Sequence, residues 1–247
     1  MHVHDIPDDF PLSEKQADQV RIAKTKEANI DRSAISQFLK SMRYALAYLD
    51  FETHNPAVPR FDGYRPYQQI PFQFSLHVQD AANSPLQHHE LLHLERTEPD
   101  ELFMSALQKV LPSTGSVIVW NKGFEASRLR EIASRHPACA AFVADITSRL
   151  VDLADVFSQG HYLHPDFRGS YSIKAVLPVL VPLLSYDELA IKDGSAAQLE
   201  WNNIVTGAYD EAKARSAADD LRRYCKLDTL AMVKIVEHLQ QDEVAAS

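Results

Sequence analysis

Apolar and polar positions along the chain predict strands first, and then strands that alternate with helices. The segment YALAYLDF, residues 44–51, is apolar on both alternating faces, which is typical of a central strand covered on each side. Residues 70–78 and 86–94 predict two further strands, and SVIVW at residues 116–120 predicts a short buried one. This order favours an α/β fold with a mixed sheet.

Capping residues and helical periodicity place the helices. Ser13, with Gln16 three residues later, forms a capping-box pattern that predicts a polar helix to about Ala28. Asp31 can cap a second helix that extends through Met42. Further helices are predicted at residues 100–111, 123–135, 147–157, 172–180 and 217–239, with a loop at residues 165–169.

Length and composition allow one sizeable α/β domain. The chain has 247 residues, of which 45% are apolar, and it shows no internal repeat, low-complexity tract or Gly/Ser linker. We therefore expect an N-terminal helical appendage at residues 1–43, followed by a single α/β domain at residues 44–247.

Features of an exported or membrane protein are not evident. The two cysteines, Cys139 and Cys225, are too few for a disulfide framework. Residues 1–9 lack the basic start and apolar run of a signal peptide. The longest apolar run, residues 175–184, contains two prolines and is far shorter than the roughly 20 residues of a membrane span. We expect a cytoplasmic protein with no membrane contact.

Net charge argues against a protein that coats nucleic acid by bulk electrostatics, because the formal charge is −9. Two local groups of cations give only weak support for nucleic-acid contact, since such groups are often solvated helix faces. They are Lys122, Arg128, Arg130 and Arg135, and Arg222, Arg223 and Lys226.

Two acids end the predicted central strand. Asp50 and Glu52 are two residues apart, so both side chains leave the same face, with Cα atoms about 6.6 Å apart. Such a pair on a buried strand is unfavourable unless a cation lies between the carboxylates. The alternative is that the strand ends at Leu49 and both acids meet water.

The last predicted helix carries one acid, the third of the set, on its apolar side. Its apolar stripe consists of Ala217, Leu221, Tyr224, Asp228, Met232, Ile235 and Leu239. Asp228 therefore faces the interior, with Tyr224 one turn before it. The alternative is an Asp228 paired with a core arginine or lysine.

Glu125 is the fourth inward-facing acid. It shares a helix face with Leu129 and Ile132, although an acid in a first turn also suits the helix dipole. Inward-facing acids at three places that are far apart in sequence are best reconciled by a shared metal site.

These residues also resemble the motifs of a known superfamily. Asp50-Phe51-Glu52-Thr53, the run from Asn121 to Glu125 with Leu129, and the run from Tyr224 to Asp228 resemble the three motifs of the DEDD exonucleases, in the tyrosine-bearing (DEDDy) subclass. Residues 149–153 and 172–174 resemble segments that accompany the second and third motifs. With residues 67–74, the chain from about Ala45 to Leu239 resembles a bacterial family of unknown function within that superfamily.

The resemblance implies a ribonuclease-H-like fold, in which a central mixed five-stranded sheet is flanked by helices and the metals lie at the end of the first strand. It implies a 3′ to 5′ exonuclease that acts on the 3′ ends of DNA or RNA. In longer relatives this domain often follows a restriction-endonuclease-like domain, so the chain is expected to correspond to the C-terminal part of a larger multidomain nuclease.

The resemblance also implies roles for the acids. Two Mg²⁺ or Mn²⁺ ions would be held by Asp50, which bridges them, by Glu52 and Asp228 at one ion, and by Glu125 at the other, largely through water. Tyr224 would orient the attacking water. One departure concerns the second motif, which usually ends in aspartate but here ends in Glu125.

Three polar residues beside the motifs are candidate contacts to the terminal nucleotide or its phosphate: Thr53, Lys122 and Lys174. For each, an ordinary surface role is an equal alternative.

Two other functions remain open. The run from His89 to His93 fits the zinc peptidase pattern H-E-x-x-H, provided that it lies on a helix. That reading leaves Asp50, Glu52 and Asp228 unexplained. The second alternative is a catalytically inactive nucleic-acid-binding or scaffolding module of the same fold.

Overall fold

A computed structural model describes residues 3–7 and 9–244 of the chain. Met1, His2 and Asp8, which belong to the N-terminal stretch predicted to lack a targeting signal, lie outside the described residues, as do residues 245–247. The helices are α1 (Glu14–Thr25), α2 (Arg32–Ser41), α3 (Asp100–Val110), α4 (Lys122–Arg135), α5 (Ala140–Arg149), α6 (Asp155–Ser158), α7 (Ile173–Leu180), α8 (Gly194–Thr206) and α9 (Glu211–Val244). The strands are β1 (Asn29–Ile30), β2 (Leu46–His54), β3 (Ile70–Gln79), β4 (Gln87–Leu92), β5 (Ser116–Val119), β6 (Leu150–Asp152) and β7 (Tyr162–Leu163).

The helices and strands belong to two compact units. The first, which we call the sheet unit, comprises Arg43–Asp152 and Tyr186–Val233; the second, the helical unit, comprises Met1–Met42, Leu153–Ser185 and Lys234–Ser247. The first stretch of the helical unit ends at Met42, and two later stretches of the chain group with it. The division into an appendage at residues 1–43 and a domain at residues 44–247 stays a prediction.

A five-stranded mixed sheet is the centre of the sheet unit. Its strand order is β4-β3-β2-β5-β6. The pairs β2–β3 and β3–β4 are antiparallel, whereas β2–β5 and β5–β6 are parallel. The prediction of an α/β fold with a central mixed sheet flanked by helices is confirmed.

One face of this sheet carries the apolar core. Ala47, Leu49 and Phe51 of β2 are buried there with side chains of β3, α3, α4 and α5. Because side chains alternate along a strand, Asp50 and Glu52 point to the opposite face. Strand β2 continues through both acids, and the pairing with β3 shifts by one residue just after Glu52. Such a bulge can aim side chains at the end of a strand.

Helix α9 covers the second face through polar contacts. The Gln73 side chain donates to the Leu221 carbonyl at 3.0 Å, and Thr229 Oγ1 lies 2.7 Å from Ser75 Oγ and 2.8 Å from His77 Nδ1. Burial lowers the pKa of His77 to about 3, so this imidazole is neutral at physiological pH. These contacts fix the rotation of α9 against the sheet and thereby direct Asp228 toward β2.

The helical unit begins with the two predicted helices. The Ser13 side chain accepts from the Gln16 N–H and closes the predicted capping box of α1. The Asp31 side chain accepts from the Ala34 N–H at 2.9 Å and caps α2. Strand β1 pairs antiparallel with β7. Within the described part of the chain, we find no helix with the length and apolar character of a membrane span.

Several elements differ from the sequence-based prediction. The helix predicted at residues 147–157 is wrong, because α5 ends at Arg149, β6 follows, and only α6 is helical after it. A three-residue strand has too few positions to show a period, and β6 forms because β5 offers a parallel partner. Helix α8 and the strands β1 and β7 were not predicted, and α9 starts six residues before the predicted 217.

Gly115 allows the turn before β5 to approach β2. Its φ is +91°, and a Cβ there would overlap backbone atoms of Ala45. We expect Gly115→Ala to lower the free energy of unfolding by about 2–4 kcal/mol. The alanine Cβ would overlap the Ala45 backbone, and alanine would also be strained at a positive φ. Gly63→Ala is the matched control, since Gly63 has φ +81° with nothing within 4 Å, and should cost only about 1 kcal/mol. Urea unfolding measures both, and equal losses would contradict the overlap.

Candidate metal site

The four predicted acids all belong to the sheet unit, and three of them act electrostatically on the fourth, Asp50. Asp50 is half-buried on β2, and the other three, Glu52, Glu125 and Asp228, are buried. Burial and then the negative charges of Asp228, Glu52 and Glu125 raise the pKa of Asp50 well above its usual range. The structure thus brings acids from three separate elements within electrostatic reach of Asp50.

Glu125 reaches the cluster from the first turn of α4. The Asn121 side chain caps this helix by accepting from the Phe124 N–H at 3.1 Å. Glu125 is 2% exposed, and among the described residues its Oε2 atom has no hydrogen-bond partner. Burial raises the Glu125 pKa from its ordinary 4.5 to about 8, and the charge of Asp152 adds to this. A buried carboxylate oxygen without a partner is unfavourable unless a cation binds it.

Asp152 is a fifth acid at the same edge, since it ends β6 beside β5. Its Oδ2 atom accepts from the Lys122 main-chain N–H at 2.9 Å. The sequence identified its segment only by resemblance, because three strand residues show no period of their own.

The Glu125 pKa predicts how the stability of the metal-free protein changes with pH. A carboxyl group whose pKa is raised by folding stabilises the protein at pH below 4.5, and this contribution is lost as pH rises to about 8. Glu125→Gln stays neutral, so its stability relative to wild type should rise by on the order of 3 kcal/mol between pH 5 and 8.5. Urea unfolding in EDTA at several pH values measures the difference. A difference that does not change with pH would contradict the assignment.

Two tyrosines flank Asp228. The Tyr186 hydroxyl donates to Asp228 Oδ1 at 2.6 Å, and the Tyr186 and Tyr224 ring centroids are 6.3 Å apart. Burial and then the charge of Asp228 raise the pKa of both tyrosines, so both hydroxyls keep their protons at neutral pH. Tyr224 lies where predicted. Sequence reasoning missed Tyr186, which precedes α8 in a segment without a regular pattern.

The predicted substrate contacts differ in their placement. Thr53 is buried, and its hydroxyl donates to Gln69 Oε1 at 2.5 Å, so this hydroxyl supports the strand end and does not face open solvent. Lys122 is exposed in the first turn of α4. Lys174 lies in the first turn of α7, which belongs to the helical unit.

Most arginines of the predicted basic groups form ion pairs with nearby acids, so the groups give little net positive charge. The pairs are Arg128–Glu131 (2.9 Å), Arg135–Asp100 (2.5 Å), Arg222–Asp219 (3.0 Å) and Arg223–Asp220 (3.9 Å).

The H-E-x-x-H pattern does not form a zinc site. His89 and Glu90 lie on strand β4, and His93 directly follows its last residue. On an extended chain, residues four apart are about 13 Å from each other, whereas zinc requires both histidine nitrogens within about 2.1 Å of the ion. His93 Nε2 instead lies 3.1 Å from Thr97 Oγ1.

The acid cluster has the donor set of a hard divalent cation. Mg²⁺ and Mn²⁺ prefer oxygen ligands, and carboxylates supply most of the protein ligands in such sites. A cation would reduce the repulsion at Asp50 and provide a partner for Glu125 Oε2. Asp50, Glu52, Glu125 and Asp228 therefore fit a metal site in both charge and chemistry.

Comparisons with known proteins identify relatives of unknown function. The chain is 29% identical over 231 residues to uncharacterized protein UU173 of Ureaplasma parvum, across 86% of this chain and 33% of that protein. It is 31% identical over 205 residues to the uncharacterized MG366 homolog of Mycoplasma pneumoniae, across 76% of this chain and 31% of that protein. Uncharacterized protein MG366 of Mycoplasma genitalium is 29% identical over 213 residues, across 78% of this chain and 32% of that protein. The chain thus spans about a third of the length of these relatives.

The comparison with solved structures found no match. A family described as "Domain of unknown function (DUF2779)" matches residues 47–172, just over half of the chain. The matched residues include Asp50, Glu52 and Glu125 and end before Tyr224 and Asp228. The chain belongs to the DUF2779 family.

Proposed function

We propose that the sheet unit is a metal-dependent 3′ to 5′ exonuclease domain with a ribonuclease-H-like fold. The observation that carries the proposal is the convergence of Asp50, Glu52, Glu125 and Asp228, which come from β2, α4 and α9. The fold expected from the DEDD resemblance has a central five-stranded mixed sheet with its site at the end of the first strand. In support, β2 is the earliest strand of the five-stranded sheet, and Asp50 lies just beyond the residues of β2 that pair with β5.

In this proposal, Asp50, Glu52, Glu125 and Asp228 would hold two Mg²⁺ or Mn²⁺ ions. When bound, such ions stabilise negative charge at the reacting phosphate and lower the pKa of a water molecule. Asp50 is the least buried of the four acids, and the charges of the other three all act on it. Hydrolysis adds water across the terminal phosphodiester, which leaves a 5′-mononucleotide and a new 3′ hydroxyl.

Tyr224 would hold the attacking water by a hydrogen bond. Its hydroxyl lies among Asp228, Glu52 and Asp50, whose charges raise its pKa. Because the hydroxyl keeps its proton, it can orient water but does not act as a base at neutral pH.

The test uses 5′-labelled DNA and RNA oligonucleotides with Mg²⁺, Mn²⁺ or EDTA. We expect a ladder that shortens from the 3′ end, requires the metal, and is blocked by a 3′ phosphorothioate linkage. A single internal cut, or cleavage that survives EDTA, would overturn the proposal. The two nucleic acids, tested separately, also identify the preferred sugar.

An inactive module of the same fold is the second candidate. It is favoured by the ion-paired arginines, which leave little positive charge for substrate, and by Glu125 in place of the usual aspartate. Metal binding by calorimetry with no cleavage of DNA or RNA under any metal would support it.

Substitutions of Glu125 test whether the length of its side chain or its negative charge matters for cleavage. We expect Glu125→Asp to keep or raise the cleavage rate, because it restores the ligand length usual in the superfamily. Glu125→Gln should lower the rate by about 10- to 100-fold, since a neutral amide binds the cation less strongly. Initial rates at several Mn²⁺ concentrations measure both, and a Gln variant more active than the Asp variant would remove Glu125 from the site.

A further inference from the structure

Cys225 lies inside the acid cluster. It precedes Asp228 by three residues on α9, and its side chain is fully buried. Its Sγ atom is 3.9 Å from Asp50 Oδ2. Asp50, Glu52 and Cys225 each offer one ligand atom, and these atoms lie within 4.8 Å of one another. Although Cys225 lies within the third motif-like run, from Tyr224 to Asp228, the sequence analysis assigned it no role.

We propose that Asp50, Glu52 and Cys225 bind a thiophilic divalent ion, such as Zn²⁺ or Cd²⁺. The inference rests on the proposed function in one respect, because Asp50 and Glu52 are also proposed ligands of Mg²⁺ or Mn²⁺. The two kinds of ion would therefore compete.

The distance between the cysteine sulfur and the Asp50 oxygen suits an ion with tetrahedral coordination. Zinc binds sulfur at about 2.3 Å and carboxylate oxygen at about 2.1 Å, so its sulfur and oxygen ligands stand about 3.6 Å apart. The observed 3.9 Å between Sγ and Asp50 Oδ2 is close to this value. A movement of a few tenths of an ångström in one side chain would bring both atoms to the ion.

A second observation points to a cation here. Glu125 is 2% exposed, its Oε2 atom has no hydrogen-bond partner among the described residues, and its charge acts on Asp50. Asp50, whose Oδ2 atom lies 3.9 Å from the thiol sulfur, is thus coupled to a buried carboxylate whose second oxygen lacks a partner.

Ligand chemistry decides which ions take the thiol. Thiolates select soft and borderline ions such as Zn²⁺, whereas Mg²⁺ and Mn²⁺ bind carboxylates and water. Coordination breaks the S–H bond and forms the metal–sulfur bond, and the proton leaves to solvent. Without an ion, the S–H group donates a weak hydrogen bond to Asp50.

The test is a Cd²⁺ titration of the full chain, followed by the ultraviolet sulfur-to-cadmium charge-transfer band. Wild type should develop the band with one ion per chain, and Cys225→Ser should not. Cys139→Ser is the matched control, because Cys139 is the other free thiol and its Sγ donates to the His136 carbonyl. It should keep the full band.

Calorimetry separates this proposal from the exonuclease site. Cys225→Ser should bind Zn²⁺ at least about 10-fold more weakly than wild type, with its Mn²⁺ affinity within about threefold. Zn²⁺ bound first should weaken Mn²⁺ binding to wild type. Cys225→Ala, checked for a native thermal transition, replaces the Ser variant if that variant does not fold.

Three results would overturn the proposal: no band in wild type, a band retained without Cys225, or a band that depends on Cys139. A band with no Mn²⁺ binding in any variant would leave the thiophilic site intact and contradict the proposed exonuclease site. Mn²⁺ binding without a cysteine-dependent band would contradict the thiophilic site and leave the proposed exonuclease site intact.

Discussion

The Asp50→Ala variant should lose at least about 1,000-fold in cleavage rate and keep its fold. If Asp50 is the shared ligand of the metal site, its removal disrupts the binding of both ions. Asp50 is also repelled by Asp228, Glu52 and Glu125, so its removal should leave the metal-free protein equally stable or more stable. Rates in Mn²⁺ and thermal unfolding in EDTA measure the two effects.

Asp228→Asn should lose activity to a similar extent and is a better substitution than alanine at this position. Asparagine keeps an oxygen that accepts from the Tyr186 hydroxyl, whereas alanine would leave that buried hydroxyl without its partner. Asp219→Asn is the control, since this exposed aspartate lies on the same helix and pairs with Arg222. Near wild-type cleavage by Asp50→Ala or Asp228→Asn would rule out the proposed site.

Tyr224→Phe should lower the turnover rate by about 10- to 1,000-fold, because it deletes only the hydroxyl proposed to position water. Mn²⁺ affinity and substrate affinity should change little, since no ligand is removed and the ring keeps its packing. Single-turnover cleavage at saturating Mn²⁺, with calorimetry on the same protein, separates the two quantities.

Tyr186→Phe is the matched comparison for Tyr224→Phe. Its hydroxyl donates to Asp228 Oδ1, so its loss should free the carboxylate to rotate and weaken Mn²⁺ binding. Excess Mn²⁺ should then restore the rate of Tyr186→Phe but leave Tyr224→Phe slow. Rescue of both variants by Mn²⁺ would assign Tyr224 a supporting role, and an unchanged rate would make it an ordinary buried tyrosine.

The acids of the site could be predicted because each contradicts its local pattern. Asp50 and Glu52 interrupt the apolar pattern of a strand, Asp228 lies on an apolar helix stripe, and Glu125 shares a face with buried Leu129. A charged side chain at an apolar position can be recognised from the sequence alone, because the periods of strands and helices assign every residue to a face.

Other parts of the site depend on contacts between distant segments. Asp152 ends a strand that exists only because β5 pairs with it, and Tyr186 reaches Asp228 across 42 residues of sequence. The Thr53 hydroxyl is bonded to Gln69, so a residue expected to meet substrate supports the strand end.

The sequence by itself determined the α/β class, the central strand and the inward direction of the four acids, since these follow from periodicity within single elements. Only the tertiary structure decided that the acids interact, that Tyr186 and Cys225 join them, and that most arginines of the predicted basic groups are paired with acids. The physical reason is that burial and periodicity act within a segment, whereas distances between charges depend on how the sheet aligns β2 and β5 and how Ser75, His77 and Thr229 hold α9.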